Sequence, residues 1–471
     1  MWRIRLILRN ALFALGSTTT LAFAQPMFQT DALDLAKPIR QTLASEISVA
    51  PTLDSFTLDN GLRIVAVPIA NATNATLMVW YGAGSADDPP DLPGLAHYTE
   101  HATFRALGTH EPEGGSPAKP AAPYVNAQPE AFTSFDYTAY YHILPNQQLD
   151  PALELEAARL STLTIDDAAV EAERDEVLGE RMHDIDREPL VSLEEEVQAA
   201  MFAGTPYQSP IIAEDFVTKQ TSAADVNAFL DTWYAPNNAI LVVAGAVDPS
   251  GLRQKVERYF APISPRDVPK RERPSPSSSD VISLALEYES SHPRLWARTS
   301  LAPSFATAGG HEAVALQILA IVLADGDFGP LHTKLIDELG VARELSIEYD
   351  PNAITDTTFT IHAVLPNDDD SSAFEKALES ELAKLTTLAV STTEVIRARD
   401  HALSELAAAW RDPYEAANLV GTTLATGQSL KDLASLPEKI SAVGPEDIRR
   451  AAHLVVTASR RVTAMTRAYV D

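Results

Sequence analysis

The sequence predicts an α+β fold of two similar α/β-sandwich-type domains, each an antiparallel-rich sheet with helices packed on it, facing each other across a cleft. Three observations lead to this expectation. The chain has 471 residues, which is too long for one ordinary hydrophobic core. Strand-like and helix-like patterns run through residues 53–264 and start again after residue 284. Between the two series, residues 262–280 form a proline-rich stretch with serines and charges, a composition typical of a linker.

In the first series, local signals mark the individual elements. Asn60-Gly61 predicts a tight turn joining two strand ends. A helix is predicted over 91–108, with Pro93 in its first turn. The apolar run 239–245 suits a strand buried on both faces. Further strands are expected at 75–81 and 132–144, and further helices at 150–163, 166–185 and 223–234.

The second series repeats this alternation after the proline-rich stretch. Its expected strands are 296–301 and 357–365, and its expected helices are 311–323, 331–339, 371–386, 393–410 and 445–457. The resulting division of the chain is a signal peptide over 1–24, an N-terminal extension over 25–52, a first domain over 53–264, a linker over 265–283 and a second domain over 284–471.

The first residues have the composition of a secretory signal. Arg3, Arg5 and Arg9 form a basic start, an apolar run over 11–23 follows, and a small-x-small cleavage site ends at Ala24. The apolar run is too short and too rich in Ser and Thr to span a bilayer. We therefore expect an exported protein, in the bacterial periplasm, with no membrane span once the signal is removed.

Charge and cysteine content narrow the chemistry. The formal net charge is −29, and such a surface repels nucleic acid and anionic membranes, so no nucleic-acid partner is expected. The chain contains no cysteine, which excludes disulfides, a cysteine nucleophile and thiolate metal sites. A zinc site in this chain would therefore use histidine and carboxylate ligands.

The main chemical signal is the pentapeptide His97-Tyr98-Thr99-Glu100-His101 within a predicted helix. Three- and four-residue spacings place its two histidines and its glutamate on one face of the helix. Two imidazoles one turn apart can bind one zinc ion, and a glutamate between them can accept a proton from an attacking water. The alternative is a helix that carries two ordinary surface histidines.

Two histidines need a third protein ligand to complete a zinc site. The predicted helix after residue 166 offers Glu173, Glu176 and Glu180, which share one face by their spacing. A solvated acidic face would produce the same pattern, so the spacing alone does not choose among these residues.

A wider set of motifs identifies a family. The inverted His-x-x-Glu-His motif is accompanied, in order, by sequences typical of one group of peptidases: Leu58-Asp59-Asn60-Gly61-Leu62, Gly94-Leu95-Ala96, Thr133-Ser134, Tyr140-Tyr141, Glu173-Arg174 with Glu180, and Tyr234-Ala235-Pro236-Asn237-Asn238. The chain thus resembles the pitrilysin/insulysin family of zinc metallopeptidases, in particular its mitochondrial processing peptidase β-type branch. The resemblance covers residues 53–262 strongly and the second half weakly.

The resemblance implies a role for each residue of the site. It makes His97, His101 and Glu180 the ligands of one Zn²⁺ per chain, Glu100 the catalytic base and Glu173 a residue that supports the ligands. Glu176 remains a rival ligand, and His183 is expected to be solvated or to assist the site from behind.

Family members bind peptide substrates as an added strand along a sheet edge. In this chain the resemblance places that edge at Ala131, Phe132 and Thr133. The Asn-Ala pair that precedes this edge in the family corresponds either to Asn126-Ala127 or to Glu130-Ala131, and the sequence does not decide between them.

One departure from the family pattern predicts a partner. Active single-chain members carry an Arg and a Tyr in the second domain, and the matching positions here are Ile336 and Arg343. We therefore expect a heterodimer with a homologous subunit that lacks the zinc motif and carries the Arg/Tyr pair. The alternatives are a homodimer that uses Arg343 differently and a misaligned second half.

Two other classes of function compete with a peptidase. The first is a non-catalytic scaffold or assembly subunit of the same fold, although a scaffold has no use for Glu100 between two ligands. The second is a zinc-storage protein, which would be expected to carry a histidine-rich tract that this chain lacks.

Overall fold

Two β-sheets, one in each half of the chain, organise the computed structural model, which describes residues 52–107, 129–161, 163–276, 281–288, 294–324, 329–366, 371–387 and 390–468. The expected signal peptide and nearly all of the expected extension lie outside these ranges. The eleven strands of the described residues are β1 Asp54–Thr57, β2 Arg63–Pro68, β3 Asn74–Tyr81, β4 Glu130–Thr133, β5 Thr138–Pro145, β6 Ala239–Gly245, β7 Val281–Tyr288, β8 Arg294–Ala302, β9 Glu344–Tyr349, β10 Thr357–Leu365 and β11 Arg461–Ala468.

Helices cover the faces of both sheets. Those of the first half are α1 Leu95–Ala106, α2 Leu149–Ser161, α3 Asp167–Glu180, α4 Pro189–Met201, α5 Asp215–Thr218, α6 Ala223–Trp233 and α7 Pro249–Phe260. Those of the second half are α8 Phe305–Ala308, α9 His311–Ala324, α10 Pro330–His332, α11 Ser372–Thr387, α12 Thr392–Ala409, α13 Pro413–Ala425, α14 Leu430–Ala434, α15 Leu436–Ala442 and α16 Pro445–Val456. None of the helices within the described ranges is long and apolar enough to cross a bilayer.

The two sheets have the same topology. The first has the order β1-β2-β6-β3-β5-β4 and the second the order β7-β11-β8-β10-β9. Without β1, the orders correspond strand for strand, and so do the pairing directions. The β2–β6 and β7–β11 pairs are parallel, whereas the other corresponding pairs are antiparallel. The predicted fold of two similar antiparallel-rich domains is therefore confirmed.

Each half also supplies a helix to the sheet of the other half. Helix α13 of the second half packs Ala416 and Val420 against Met78 and Trp80 on one face of the first sheet. Helix α4 of the first half packs on the second sheet, where its Leu193, Val197 and Met201 join a core with Leu295, Ala297, Val462 and Ala464. Because these apolar surfaces are buried only when both halves are present, we expect the halves to unfold together.

The proline-rich stretch is anchored to both halves. Arg273 donates from Nη2 to Asp87 at 2.6 Å and from Nε to Asp136 at 3.0 Å, and both carboxylates are buried. Ser275 of the same stretch donates from Oγ to Oδ2 of Asp356 in the second half at 2.7 Å, and Asp136 also accepts the backbone N–H of Ile354 at 3.2 Å. Strand β7 begins at Val281, inside the predicted linker, so the second sheet starts slightly earlier than expected.

Two predicted elements have different bounds because of turns. The expected strand over 132–144 is a hairpin of β4 and β5, in which Ser134 Oγ accepts the backbone N–H groups of Asp136 and Tyr137. The expected helix over 91–108 begins only at Leu95, since Gly94 has a φ of 86°, in the left-handed region. Turn chemistry overrides the strand and helix propensities at both places.

Gly421 offers a test of the contact between the halves. A methyl group at this position in α13 would overlap the indole of Trp80 on β3. We expect Gly421→Ala to lower the free energy of unfolding in urea by about 1–3 kcal/mol, because the crowded helix must move away from the sheet. Gly179→Ala in α3 is the control, since nothing lies within 4 Å of its added methyl group. The control should stabilise the protein by about 0.5–1 kcal/mol. An unchanged Gly421→Ala protein would contradict tight packing of α13.

Candidate metal centre

Helix α1 is fixed at its N-terminus by a carboxylate and a glycine. Asp88 accepts the backbone N–H of Gly94 at 2.6 Å and that of Ala96 at 2.8 Å, which satisfies two donors of the first turn. A Cβ atom at Gly94 would lie 2.5 Å from Cβ of Ala213, so the close approach of two chain segments also requires glycine. The side chains of the pentapeptide therefore start from a rigid position.

His97, His101 and Glu180 converge at the junction of α1 and α3. Glu180 Oε2 lies 3.4 Å from Nε2 of His97 and 3.0 Å from Nε2 of His101. One ligand atom from each side chain lies within 4.8 Å of the other two. Two atoms bound to a tetrahedral zinc ion lie about 3.4 Å apart, so the donor set and its spacing fit a zinc ion.

Glu173 and Arg105 lie behind His101. The Nδ1 atom of His101 is 3.4 Å from Oε2 of Glu173, and Arg105 Nε donates to Oε1 of Glu173 at 2.6 Å. Burial lowers the pKa of His101, but the carboxylates of Glu173 and Glu180 outweigh this effect and raise the pKa to about 10. A histidine that binds metal must be neutral, so a cation would have to displace this proton. With a cation bound, Glu173 would be placed to orient the imidazole, as carboxylates do behind histidine ligands.

Glu100 occupies the same face of α1 and is buried. Thr133 Oγ1 donates a hydrogen bond of 2.8 Å to Oε2 of Glu100. Glu100 also lines a cavity of about 240 Å³ together with His97 and Glu180. The carboxylate is therefore held by a neighbouring strand and directed to the same space as two of the candidate ligands.

Strand β4 forms one wall of this cavity. It is one of the two edge strands of the first sheet, and it pairs with β5 on one side. Ala131, Phe132 and Thr133 all lie on β4 and line the cavity. The predicted sheet edge thus borders the space that holds the candidate base, which is the arrangement needed for an added peptide strand.

The rival residues lie elsewhere. Glu176 is exposed on α3, one turn before Glu180. His183 is also exposed, in the π-helical turn after α3, and its Nδ1 lies 3.4 Å from Arg187 Nη1. Of the two Asn-Ala alternatives, Asn126-Ala127 lies outside the described residues, whereas Glu130-Ala131 begins β4.

Several residues of the site were not identified from the sequence. Arg105 follows His101 by one helical turn, and this spacing could have marked it as a partner of the carboxylate behind the site. Arg181 directly follows Glu180 in the chain. Its guanidinium donates to both carboxylate oxygens of Glu195, at 2.7 and 2.6 Å. That pair joins α4 to the end of α3 and had no local signal, because its members lie on different helices.

The second half contributes nothing to the cavity wall among the described residues. The residues that line the cavity fall between His97 and Ile212, all in the first half. Ile336 is partly buried against the core of the second half, and Arg343 is exposed just before β9. The two positions that correspond to the family's Arg/Tyr pair therefore offer no donor to this cavity.

Comparison with known protein families gives two matches along the chain. The family model described as "Insulinase (Peptidase family M16)" matches residues 63–215. A second model, described as "Peptidase M16 inactive domain", matches residues 220–401. Together they span parts of both halves of the structure.

Curated relatives match the chain over more than half of its length. The chain is 27% identical to the zinc protease PqqE of Helicobacter pylori over 320 residues, which are 66% of this chain and 70% of that protein. It is 29% identical to an uncharacterized zinc protease of Mycobacterium tuberculosis over 299 residues, 62% of this chain and slightly under two thirds, 64%, of the relative. It is 24% identical to a probable mitochondrial-processing peptidase subunit beta of Arabidopsis thaliana over 424 residues, 87% of this chain and 77% of that one.

Solved structures share the fold. A protease from Helicobacter pylori superposes with a TM-score of 0.80 and 21% identity, over 89% of this chain and 100% of that one. The periplasmic protease PqqL from Escherichia coli gives a TM-score of 0.71 and 17% identity, over 90% of this chain and 48% of that one. The two-domain architecture is thus common to proteins with very different sequences.

Proposed function

The chain belongs to the insulinase-like M16 peptidase family, and from this membership we propose that it is a zinc-dependent endopeptidase that hydrolyses extended peptides or unfolded polypeptides. One observation carries the proposal. The ligand atoms of His97, His101 and Glu180 lie within 4.8 Å of one another, beside a buried Glu100 and in a cavity bordered by a sheet edge. The first domain, over 53–264, would be the catalytic one, and the second, over 284–471, would lack a metal motif.

In the proposed mechanism, His97, His101 and Glu180 would hold one zinc ion, which would supply Lewis-acid chemistry when bound. Glu100 takes a proton from the attacking water and later delivers it to the leaving amine. Thr133 holds one oxygen of Glu100 by its 2.8 Å hydrogen bond and so limits rotation of the carboxylate. Glu173, paired with Arg105, keeps the imidazole of His101 in place.

We propose that the substrate binds as a strand added to β4. Main-chain hydrogen bonds to the outward-facing groups of β4, along Ala131, Phe132 and Thr133, would align the peptide with the sheet and tolerate many side chains. Because Thr133 contacts both this edge and Glu100, the peptide backbone would pass close to the base. A segment that is already paired within a folded protein cannot bind in this way, which favours unfolded or extended substrates.

We further propose that the chain is the zinc-bearing subunit of a heterodimer in the periplasm. Among the relatives are proteins named as subunits, the beta subunit of mitochondrial-processing peptidase and subunit 1 of the cytochrome b-c1 complex. A periplasmic protease is among the structures with this fold. The export signal predicted over 1–24 would direct the chain to such a location.

Glutamine substitutions in α3 test the metal centre. We expect Glu180→Gln to lose one equivalent of bound zinc and to lower peptide hydrolysis at least tenfold, because an amide is a weaker ligand than a carboxylate. Glu176→Gln is the matched control on the same helix, since Glu176 is exposed. Zinc content after dialysis and hydrolysis of a quenched peptide library are the measurements. Equal loss in both variants, or full activity in a chelated protein, would argue against the proposed function.

A further inference from the structure

A second group of metal-ligating side chains lies where α4 of the first half meets the second sheet. Glu194 of α4, Glu348 of β9 and His362 of β10 place one ligand atom each within 4.8 Å of the others. Nε2 of His362 is 3.6 Å from Oε2 of Glu348 and 3.7 Å from Oε1 of Glu194. These distances exceed those of hydrogen bonds but are close to the roughly 3.4 Å that separates neighbouring ligands of a tetrahedral zinc ion.

The backbone fixes the two members from the second half. In the β9–β10 ladder, Glu348 pairs with Thr360, and His362 pairs with Ser346. Glu348 and His362 are therefore diagonal neighbours on the same face of the sheet, and Glu194 approaches that face from α4. The group is assembled only when the two halves are packed together.

Several polar atoms of this group are buried without a hydrogen bond. His362 is 94% buried, with 6% of its surface exposed, and neither of its ring nitrogens has a hydrogen-bond partner among the described residues. Oε1 of Glu194 is likewise buried without a hydrogen bond. His362 faces both carboxylates at ion-pair distance, but burying these atoms without hydrogen bonds is costly, and a cation placed between the three side chains would interact with all of them.

The charge of the group points to a cation. Two carboxylates face one histidine, and the described arginines and lysines form no ion pair with either carboxylate. Burial raises the pKa of Glu194 to about 7, an effect that His362 opposes and Glu348 reinforces. One imidazole and two carboxylates form a donor set that suits zinc and similar divalent transition metals.

We propose that Glu194, Glu348 and His362 form a second divalent-cation site, distinct from the candidate centre on α1 and α3, that joins the two halves of the chain. Glu194 also lines the cavity that contains His97 and Glu100, so the proposed site lies directly behind one wall of that cavity. A cation at this position would hold α4 against the edge of the second sheet, next to the wall of the cavity. Its contribution would therefore be to the rigidity of the cavity.

Counting bound zinc in site-specific variants tests the proposal. The purified protein, stripped with chelator and dialysed against buffered zinc, should bind two equivalents. A His97→Ala/His101→Ala variant should keep one equivalent, and a further His362→Ala change should remove it. With cobalt(II) in place of zinc, the visible absorption of the first variant should likewise disappear after the His362→Ala change.

Glu348→Gln, which preserves the shape of the side chain, guards against misfolding of the His362 variant. It should also reduce binding to one equivalent in an otherwise unchanged protein, with an unaltered far-UV circular dichroism spectrum. If the His97→Ala/His101→Ala variant binds no zinc, or if both His362→Ala and Glu348→Gln retain two equivalents, the second site does not exist. These outcomes do not depend on peptide hydrolysis and so are separate from a failure of the proposed function.

Discussion

Glu100→Gln is expected to lower kcat/KM for peptide hydrolysis by about 10²–10⁴-fold, the usual contribution of a general base, and to leave the zinc content unchanged. Glutamine has nearly the same shape and can still accept the hydrogen bond from Thr133 Oγ1 through its amide oxygen. It cannot accept a proton from the attacking water. Since Glu100 is not one of the three residues whose ligand atoms converge, the metal should remain bound.

The measurement is the hydrolysis of a quenched peptide library, with zinc counted in the same samples. Glu154→Gln is the matched control, because Glu154 is an exposed glutamate on α2 away from the cavity. A Glu100→Gln protein that hydrolyses peptides at nearly the normal rate would assign the base to another residue. A variant that loses its zinc would show instead that Glu100 supports the metal, and the kinetic effect would have to be reinterpreted.

Much of the first domain could be predicted because its signals are local. The Asn60-Gly61 turn joins two strands that pair as expected, and the run 239–245 is a strand buried along its whole length. The pentapeptide of α1 requires only helical spacing to bring His97 and His101 onto one face. Such features depend on residues within one or two turns of each other, and these can be recognised without the rest of the fold.

The predictions failed or were incomplete where distant segments decide the structure. The spacing of Glu173, Glu176 and Glu180 does not show which of the three is the third metal ligand. The packing of α3 against α1 buries Glu173 and leaves Glu176 in solvent. The composition of the proline-rich stretch does not indicate that Arg273 anchors it through buried carboxylates. The exchange of α4 and α13 between the halves had no sequence signal, since an amphipathic helix does not specify which sheet it covers.

Among the effects that depend on a second protein, we expect activation by a partner subunit to be the largest. We expect a homologous subunit that lacks the zinc motif but carries the Arg/Tyr pair to raise kcat/KM by about 10²–10³-fold, the contribution of one oxyanion donor. The cavity of this chain is lined, among the described residues, only by side chains of the first half, and they include no arginine, lysine or tyrosine. Apart from the proposed zinc ion, the developing negative charge on the substrate carbonyl would thus lack a hydrogen-bond donor from an arginine, lysine or tyrosine of this lining.

The test compares the chain alone, the chain with that homologue, and the chain with a homologue whose Arg and Tyr are replaced by Ala and Phe. The altered homologue should still bind but should fail to activate, which separates donation of a hydrogen bond from simple stabilisation. Full activity of the chain alone, abolished by Glu100→Gln, would make it a self-sufficient peptidase and would reject the shared site. If no combination hydrolyses peptides while zinc remains bound, the scaffold function becomes the better explanation. The pair of donors would then be irrelevant to this chain, and the retained Glu100 would be left without a catalytic role.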